Sequence, residues 1–322
     1  GRVSSLTAGV GNAGNIAIDA GSIEIRGIDL LDSSASNISS QANPNSTGNG
    51  GDVTITSDRL LAQGGGFVSV ATFGSGAAGD LLIFSRESID LIGGNPLTNT
   101  DSGLFATVEA GATGAGGNLT AATGRLTVLN GATVSASTFG EGDAGILTLR
   151  SDTIELAGTG FDGNSSNIAV QSNPGATGDA GNLTIDANGI GARDGGFISS
   201  STFGSGNAGD STIRARVIDL SGVNPFNSNL PTGLFAQVND NSGGRGGDLV
   251  VTSDRLSVRD GAFVSVQTLG AGEWGQPRPS MPPISSKSGV AQGKISAGSP
   301  LARMAPRPRE NRAISPLPRG IW

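Results

Sequence analysis

The 322-residue sequence contains no cysteine, no histidine and no tyrosine. The first absence excludes disulfides and thiolate metal sites, and the second excludes imidazole as a catalyst or metal ligand. Aromatic residues make up 4% and the hydrophobic fraction is 36%, too little bulky volume for a thick globular core. Charged residues reach only 15%, whereas disordered chains combine low hydrophobicity with high charge. Thin aliphatic layers satisfy both facts. No apolar run approaches the roughly 20 residues needed to span a bilayer as a helix, so no transmembrane segment is expected.

What the chain has is glycine, 54 of them, at fixed intervals. The phrase Gly178-Asp179-Ala180-Gly181-Asn182-Leu183-Thr184-Ile185 recurs at Gly11 to Ile18, Gly48 to Ile55, Gly76 to Ile83, Gly114 to Ala121, Gly142 to Leu149, Gly206 to Ile213 and Gly244 to Val251. Its second glycine is a landmark at 14, 51, 79, 117, 145, 181, 209 and 247, with spacings of 37, 28, 38, 28, 36, 28 and 38. Short units of 28 therefore alternate with long units of 36–38, giving a super-period of 64–66 residues. Asn95-Pro96 returns at Asn224-Pro225, and Ser36-Asn37-Ile38 at Ser166-Asn167-Ile168, which sets a third period near 130. Such nesting describes a repeat array built by internal duplication. Val3–Thr7 aligns with Ile198–Thr202, so the chain opens inside a repeat, without a starting Met or a signal peptide, and reads as a fragment.

Each unit predicts three strands. In one short unit Asn118-Leu119-Thr120 opens the first, Arg125–Val128 forms the second and Thr133–Ser137 the third, with period-2 alternation and Gly or Asn between them. No segment has a 3.6-residue period, so no helix is expected. The long units add a loop of about ten residues, as at Gly94–Asp101, which places the added length in one corner. Val68, Val134, Ile198 and Val264 align as one inward column, and Val70, Ala136, Ser200 and Val266 as the next. Ser69, Ser135, Ser199 and Ser265 between them are expected to face water, and Phe73, Phe139, Phe203 and Leu269 to stack at a corner. Coils laid directly over one another pair every strand in parallel at about 4.8 Å. The predicted fold is all-β: a parallel β-helix, or β-solenoid, right-handed, over residues 1–275. A propeller would need four hairpin strands per 40–45 residues, and no such blade motif is present.

Residues 276–322 break the pattern. They hold 9 of the 14 prolines, with 8 basic residues against one acid, Glu310, while residues 1–275 carry 12 basic and 26 acidic residues. Net charge turns from -14 to +7. This Pro-rich basic tail is expected to be disordered and unpaired, because proline removes ladder donors. Back-translated and read two bases downstream, Arg278–Ser288 permits a sequence similar in kind to Leu82–Leu91, so a reading-frame shift past residue 275 is the expected origin of the tail.

Candidate chemistry is sparse. Asn15, Asp52, Asp80, Asn118, Asn182, Asp210 and Asp248 follow the landmark glycines and could form a calcium ladder. The nine-residue period of calcium solenoids is absent, and Ile146 occupies one place. These residues are therefore read as turn formers that bond their own backbone. Glu24, Asp90, Glu155 and Asp219 fall at equivalent places, one per super-period, too dispersed for a pair of hydrolytic carboxylates. Ser57–Arg59 and Ser253–Arg255 suggest weak surface ion pairs. Gly243–Gly247 lacks the Lys and Ser or Thr of a phosphate loop, and the -14 charge disfavours nucleic acid. No catalytic, cofactor-binding or metal residue is assigned, and no enzyme activity is expected.

The landmark phrase, the strand Gly131-Ala132-Thr133-Val134-Ser135-Ala136-Ser137-Thr138-Phe139-Gly140 and the Gly-Leu-Phe-Ala loops at 103–106 and 233–236 jointly resemble repeats of filamentous-haemagglutinin-like exoproteins of Gram-negative bacteria. The resemblance covers about residues 1–275. It implies secretion by the two-partner route, with an outer-membrane transporter as partner of the parent protein. It also implies a location outside the cell or on its surface, and adhesion to surface glycans or neighbouring cells. The expected role is a rigid stalk that presents loops; the alternative is a carbohydrate-binding or polysaccharide-degrading β-helix.

Overall fold

The computed structural model describes residues 1–29, 34–270 and 292–295. Among these the chain is all-β and winds into eight coils, numbered here by their landmark glycines from Gly14 (coil 1) to Gly247 (coil 8). Nine six-residue strands form one sheet in strict chain order: Arg2–Thr7, Asn37–Ala42, Phe67–Thr72, Gly103–Val108, Thr133–Thr138, Asn167–Ser172, Phe197–Thr202, Gly233–Val238 and Phe263–Thr268. A second sheet stacks longer strands, from Ile16–Arg26 through Val53–Gln63, Leu81–Ile92, Leu119–Leu129, Leu147–Ala157, Leu183–Arg193 and Ser211–Ser221 to Leu249–Thr252 with Arg255–Arg259. Every pairing between successive coils is parallel.

In coils 1 to 7 the first two expected strands are one strand with a bend, while in coil 8 they stay separate, as Leu249–Thr252 and Arg255–Arg259. Leu147 and Leu149 are buried, as are Ile154 and Leu156, so the inward phase slips by one residue across Ser151–Thr153. A slip of one residue exchanges the two faces of a strand, so the same strand can line two walls of the interior. Those walls hold columns of side chains in one continuous core, for example Ile55, Ile83, Leu149 and Ile185, then Leu60, Ile89, Leu126 and Ile154. Each fully buried side chain of this size contributes roughly 1.5–3 kcal/mol.

Glycine recurs because the coils touch at the backbone. A Cβ built on Gly51, Gly79, Gly117, Gly145, Gly181, Gly209 or Gly247 would stand 1.8–2.1 Å from the carbonyl oxygen of the preceding landmark glycine. The first glycine of the phrase forms a parallel ladder, with the same clash at 1.9–2.1 Å from Gly48 through Gly244. Buried hydroxyls tie this corner to the short sheet: Thr72 donates to the Gly76 carbonyl at 2.5 Å, Thr138 to Gly142 at 2.7 Å and Thr202 to Gly206 at 2.7 Å.

Several expectations are corrected. The added length of long units is divided between both corners. Besides the extended loop, each long unit inserts two residues where the short strand turns back. There Asn43-Pro44-Asn45-Ser46 and its equivalents close a turn with positive φ at the third residue, as type II turns require. Coil 3 also carries one extra residue within Leu81–Ile92, as a bulge. The Gly-Leu-Phe-Ala segments are strands: Leu104 and Leu234 are fully buried, and Phe105 and Phe235 fold over Gly103 and Gly233, which leave room for the rings. Ser69 and Ser199 lie on the outer face yet are buried, and Ser135 and Ser265 are half-buried, because they flank Phe105 and Phe235 in the ladder. Phe73, Phe139, Phe203 and Leu269 do sit at the return corner, Phe73 half-buried and the other three exposed, but they do not stack: Glu109, Asn173 and Asn239 of the intervening coils stand between them.

Most of the tail, and with it the expectations of disorder and of a frame shift, lies outside the described residues. Gln292–Ile295 departs from the expected unpaired state: it forms a strand antiparallel to Leu249–Thr252. No proline lies between Pro283 and Pro300, so this stretch keeps its backbone donors and can pair with the edge that the last coil leaves open.

Candidate functional site: the ridge of long loops

The residues after the landmark glycines do form a ladder, but the bonds run between coils and not to their own backbone. The Asn15 side chain accepts from Asp52 N at 2.8 Å, Asp52 from Asp80 N at 2.9 Å, Asp80 from Asn118 N at 2.8 Å and Asn118 from Ile146 N at 2.9 Å. Ile146 has no oxygen to pass on, and the ladder resumes from Asn182 to Asp210 and Asp248 at 2.8 and 2.7 Å. A second such ladder runs through Asn12, Asn49 and Ala77, and through Asp143, Asp179, Asn207 and Arg245. The oxygens are used to splice backbone to backbone. Among the described residues no group of three or more acidic side chains is gathered for a metal ion.

Glu24, Asp90, Glu155 and Asp219 share one outer column, separated by Leu61, Thr127 and Gly191 of the intervening coils. Each is paired with an arginine: Glu24 with Arg26 at 3.1 Å, Asp90 with Arg125 at 3.4 Å, Glu155 with Arg193, and Asp219 with Arg259 at 3.0 Å. Alternate coils stand about 10 Å apart, so these carboxylates do not converge. Of the two Ser-Asp-Arg triplets, Asp58 meets Arg86 at 2.8 Å and Arg59 meets Glu87 at 2.6 Å, while Asp254 meets Arg216 at 3.8 Å.

The structure draws attention instead to the corner where the long loops emerge. In short units this corner is a tight turn, Leu129-Asn130-Gly131-Ala132 for example, with both central residues at positive φ and an Ala132 N to Leu129 O bond of 3.2 Å. In the long units of coils 3, 5 and 7 it becomes the loops 93–102, 158–166 and 222–232, which lean over the intervening tight turn and meet one another. Gly131 and Gly195 make the approach possible: a Cβ at 131 would stand 2.7 Å from the backbone of Gly160, and one at 195 would stand 2.7 Å from Asn224 Cβ. Asn224 Nδ2 donates to Ser165 Oγ at 2.9 Å and to the Gly163 carbonyl at 3.3 Å. The three loops therefore form a continuous ridge on one edge of the solenoid.

Two features of the ridge stand out. Asp101 and Asp162 line a cavity of about 10 Å³ between the loops of coils 3 and 5. Burial first, and the negative charge of Asp162 second, push the Asp101 carboxyl up to about 6. Asp162 is held by Asn164, whose backbone N donates at 2.9 Å and whose side-chain amide also donates. Beside this lies a groove of about 780 Å³, with Phe161 and Phe226 among its lining residues.

The apolar tips of these loops were not among the sequence expectations, although a signal is present: Leu97 and Phe226 follow Asn95-Pro96 and Asn224-Pro225 in segments that are mostly polar or glycine. Neither a protein-family model, nor a curated protein, nor a solved structure matches the chain.

Proposed function

We propose that this chain is a structural and adhesive repeat region: a stiff spacer that carries the ridge of long loops along one edge. The observation that carries the reading is the continuous stacking of eight coils in chain order, in which the extended loops leave at the same corner. Two glycine ladders, joined at every junction by at least one of the two side-chain ladders, couple each coil to the next, so bending at any one coil strains backbone contacts rather than a hinge. In this reading the chain itself carries out no turnover. The haemagglutinin-like phrases support a parent protein exported through an outer-membrane transporter and displayed on, or released from, the cell surface.

Solution scattering tests the mechanical part. Eight coils at about 4.8 Å give a rod of roughly 40 Å, and replacing 158–166 with Asn130-Gly131-Ala132 of coil 4, the segment in the same place, should leave that length unchanged. A flexible or collapsed scattering profile would count against the spacer. Antibody labelling of intact cells that make the parent protein tests the location; labelling only after lysis would count against display.

A further inference from the structure

The ridge keeps large apolar side chains in water, and its three tips are among the most exposed in the chain. Leu97, Phe161 and Phe226 are 76%, 83% and 79% exposed and belong to the loops of coils 3, 5 and 7. They are held on formed turns: Leu97 N and Phe226 N each donate to the preceding Asn side chain at 2.9 Å. Asn224 also anchors its loop to Ser165. Side chains displayed by such turns lose little freedom when a ligand arrives.

The groove between them has matching polar chemistry. Gln63 and Asn130 line it, and their side-chain amides make no hydrogen bond to the described residues. Asp162 adds acceptor capacity, and no lysine or arginine borders the groove. Flat apolar faces beside unpaired amides and a carboxylate suit a ligand that has both C–H faces and hydroxyl edges. The missing cations exclude a polyanion by the same argument that makes Arg and Lys the phosphate and carboxylate binders.

We propose that this groove binds an uncharged glycan, with pyranose faces stacked on Phe161 and Phe226 and sugar hydroxyls bonded to Gln63, Asn130 and Asp162. The loops that carry these tips leave the solenoid at every second coil, about 10 Å apart at their bases, a pitch commensurate with the disaccharide unit of an extended β-linked chain. The site is open, so each contact is weak and a longer chain gains by engaging successive loops. This inference rests on the adhesive half of the proposed function and leaves the spacer half independent.

The test is calorimetric titration of the whole chain with cello-, manno-, xylo- and chito-hexaose, and with a heparin hexasaccharide as the anionic control. At least one neutral hexasaccharide should bind in the micromolar to millimolar range, and the heparin fragment should not. Phe161→Ala and Phe226→Ala, at exposed tips, should keep the circular dichroism of the parent while each weakens binding about tenfold, a change of ~1.4 kcal/mol. The proposal fails if no neutral hexasaccharide binds at millimolar concentration, if only heparin binds, or if both variants bind as the parent does. It fails equally if ultracentrifugation shows self-association that Phe161→Ala abolishes, since the row would then be an interface between copies. A negative titration with an unchanged rod length removes the glycan and leaves the spacer.

Discussion

A methyl group on Gly181 would stand 1.8 Å from the carbonyl oxygen of Gly145. That carbonyl belongs to the backbone of the coil below, so neither partner can give way by changing a rotamer. Gly181→Ala should therefore cost about 3 kcal/mol or more, in the range of other overpacking changes inside rigid surroundings. Gly189 is the control, because nothing lies within 4 Å of its would-be Cβ and its φ is not positive. Gly189→Ala should be neutral or stabilising by roughly 0.5–1 kcal/mol, since it removes unfolded-state freedom from a strand. Urea unfolding of the two variants reads the contrast, and equal destabilisation of both would refute the ladder as the reason for the repeat.

The same contact explains which parts of the fold were legible. A glycine whose Cβ has no room must recur once per coil, and so the coil length stands in the sequence as a spacing. The core columns are legible for a similar reason, as Val68 and Leu104 occupy equivalent, fully buried places in neighbouring strands. The bend at Ser151–Thr153 was not legible, because two consecutive outward residues look like a turn and only the unbroken pairing of Leu147–Ala157 with its neighbours shows one strand. Gly103 and Gly233 misled in the same way, being glycines that accommodate an aromatic ring and not glycines that turn the chain. The ridge was least legible. The Asn224 to Ser165 bond joins residues 59 apart, and no local pattern in either loop announces that they meet across a third coil.

Ile146 interrupts a ladder that otherwise hands one side-chain oxygen to each following N–H, from Asn15 to Asn118 and from Asn182 to Asp248. It is also 47% exposed, so little burial is lost on replacing it. Ile146→Asn should place an acceptor beside the N–H of Asn182 and stabilise the chain by roughly 0.5–1 kcal/mol, the net worth of one hydrogen bond. Asn118→Ala should cost a similar amount, because it strands the Ile146 N–H that now bonds at 2.9 Å. Thermal melting of both variants measures the pair. A destabilised Ile146→Asn would mean that the side chain at this corner is fixed by something other than the ladder.

Asp101 gives the chain a pH dependence with a definite sign. Its carboxyl is raised from 3.8 to about 6, first by burial and then by the charge of Asp162. Between those values the folded chain holds a proton that the unfolded chain has released, so stability must fall as pH rises. The contribution is fully present below about 3.8, is lost as pH passes through about 6, and levels off above it. Two pH units correspond to ~3 kcal/mol, and partial exposure reduces this to roughly 1–1.5 kcal/mol. Asp101→Asn should remove this slope and keep the low-pH stability at neutral pH. Asp162→Asn should only shrink it, because the burial of Asp101 remains. Denaturant melts at pH 4, 5, 6 and 7 separate the cases, and a slope unchanged in Asp101→Asn would assign the dependence to another group.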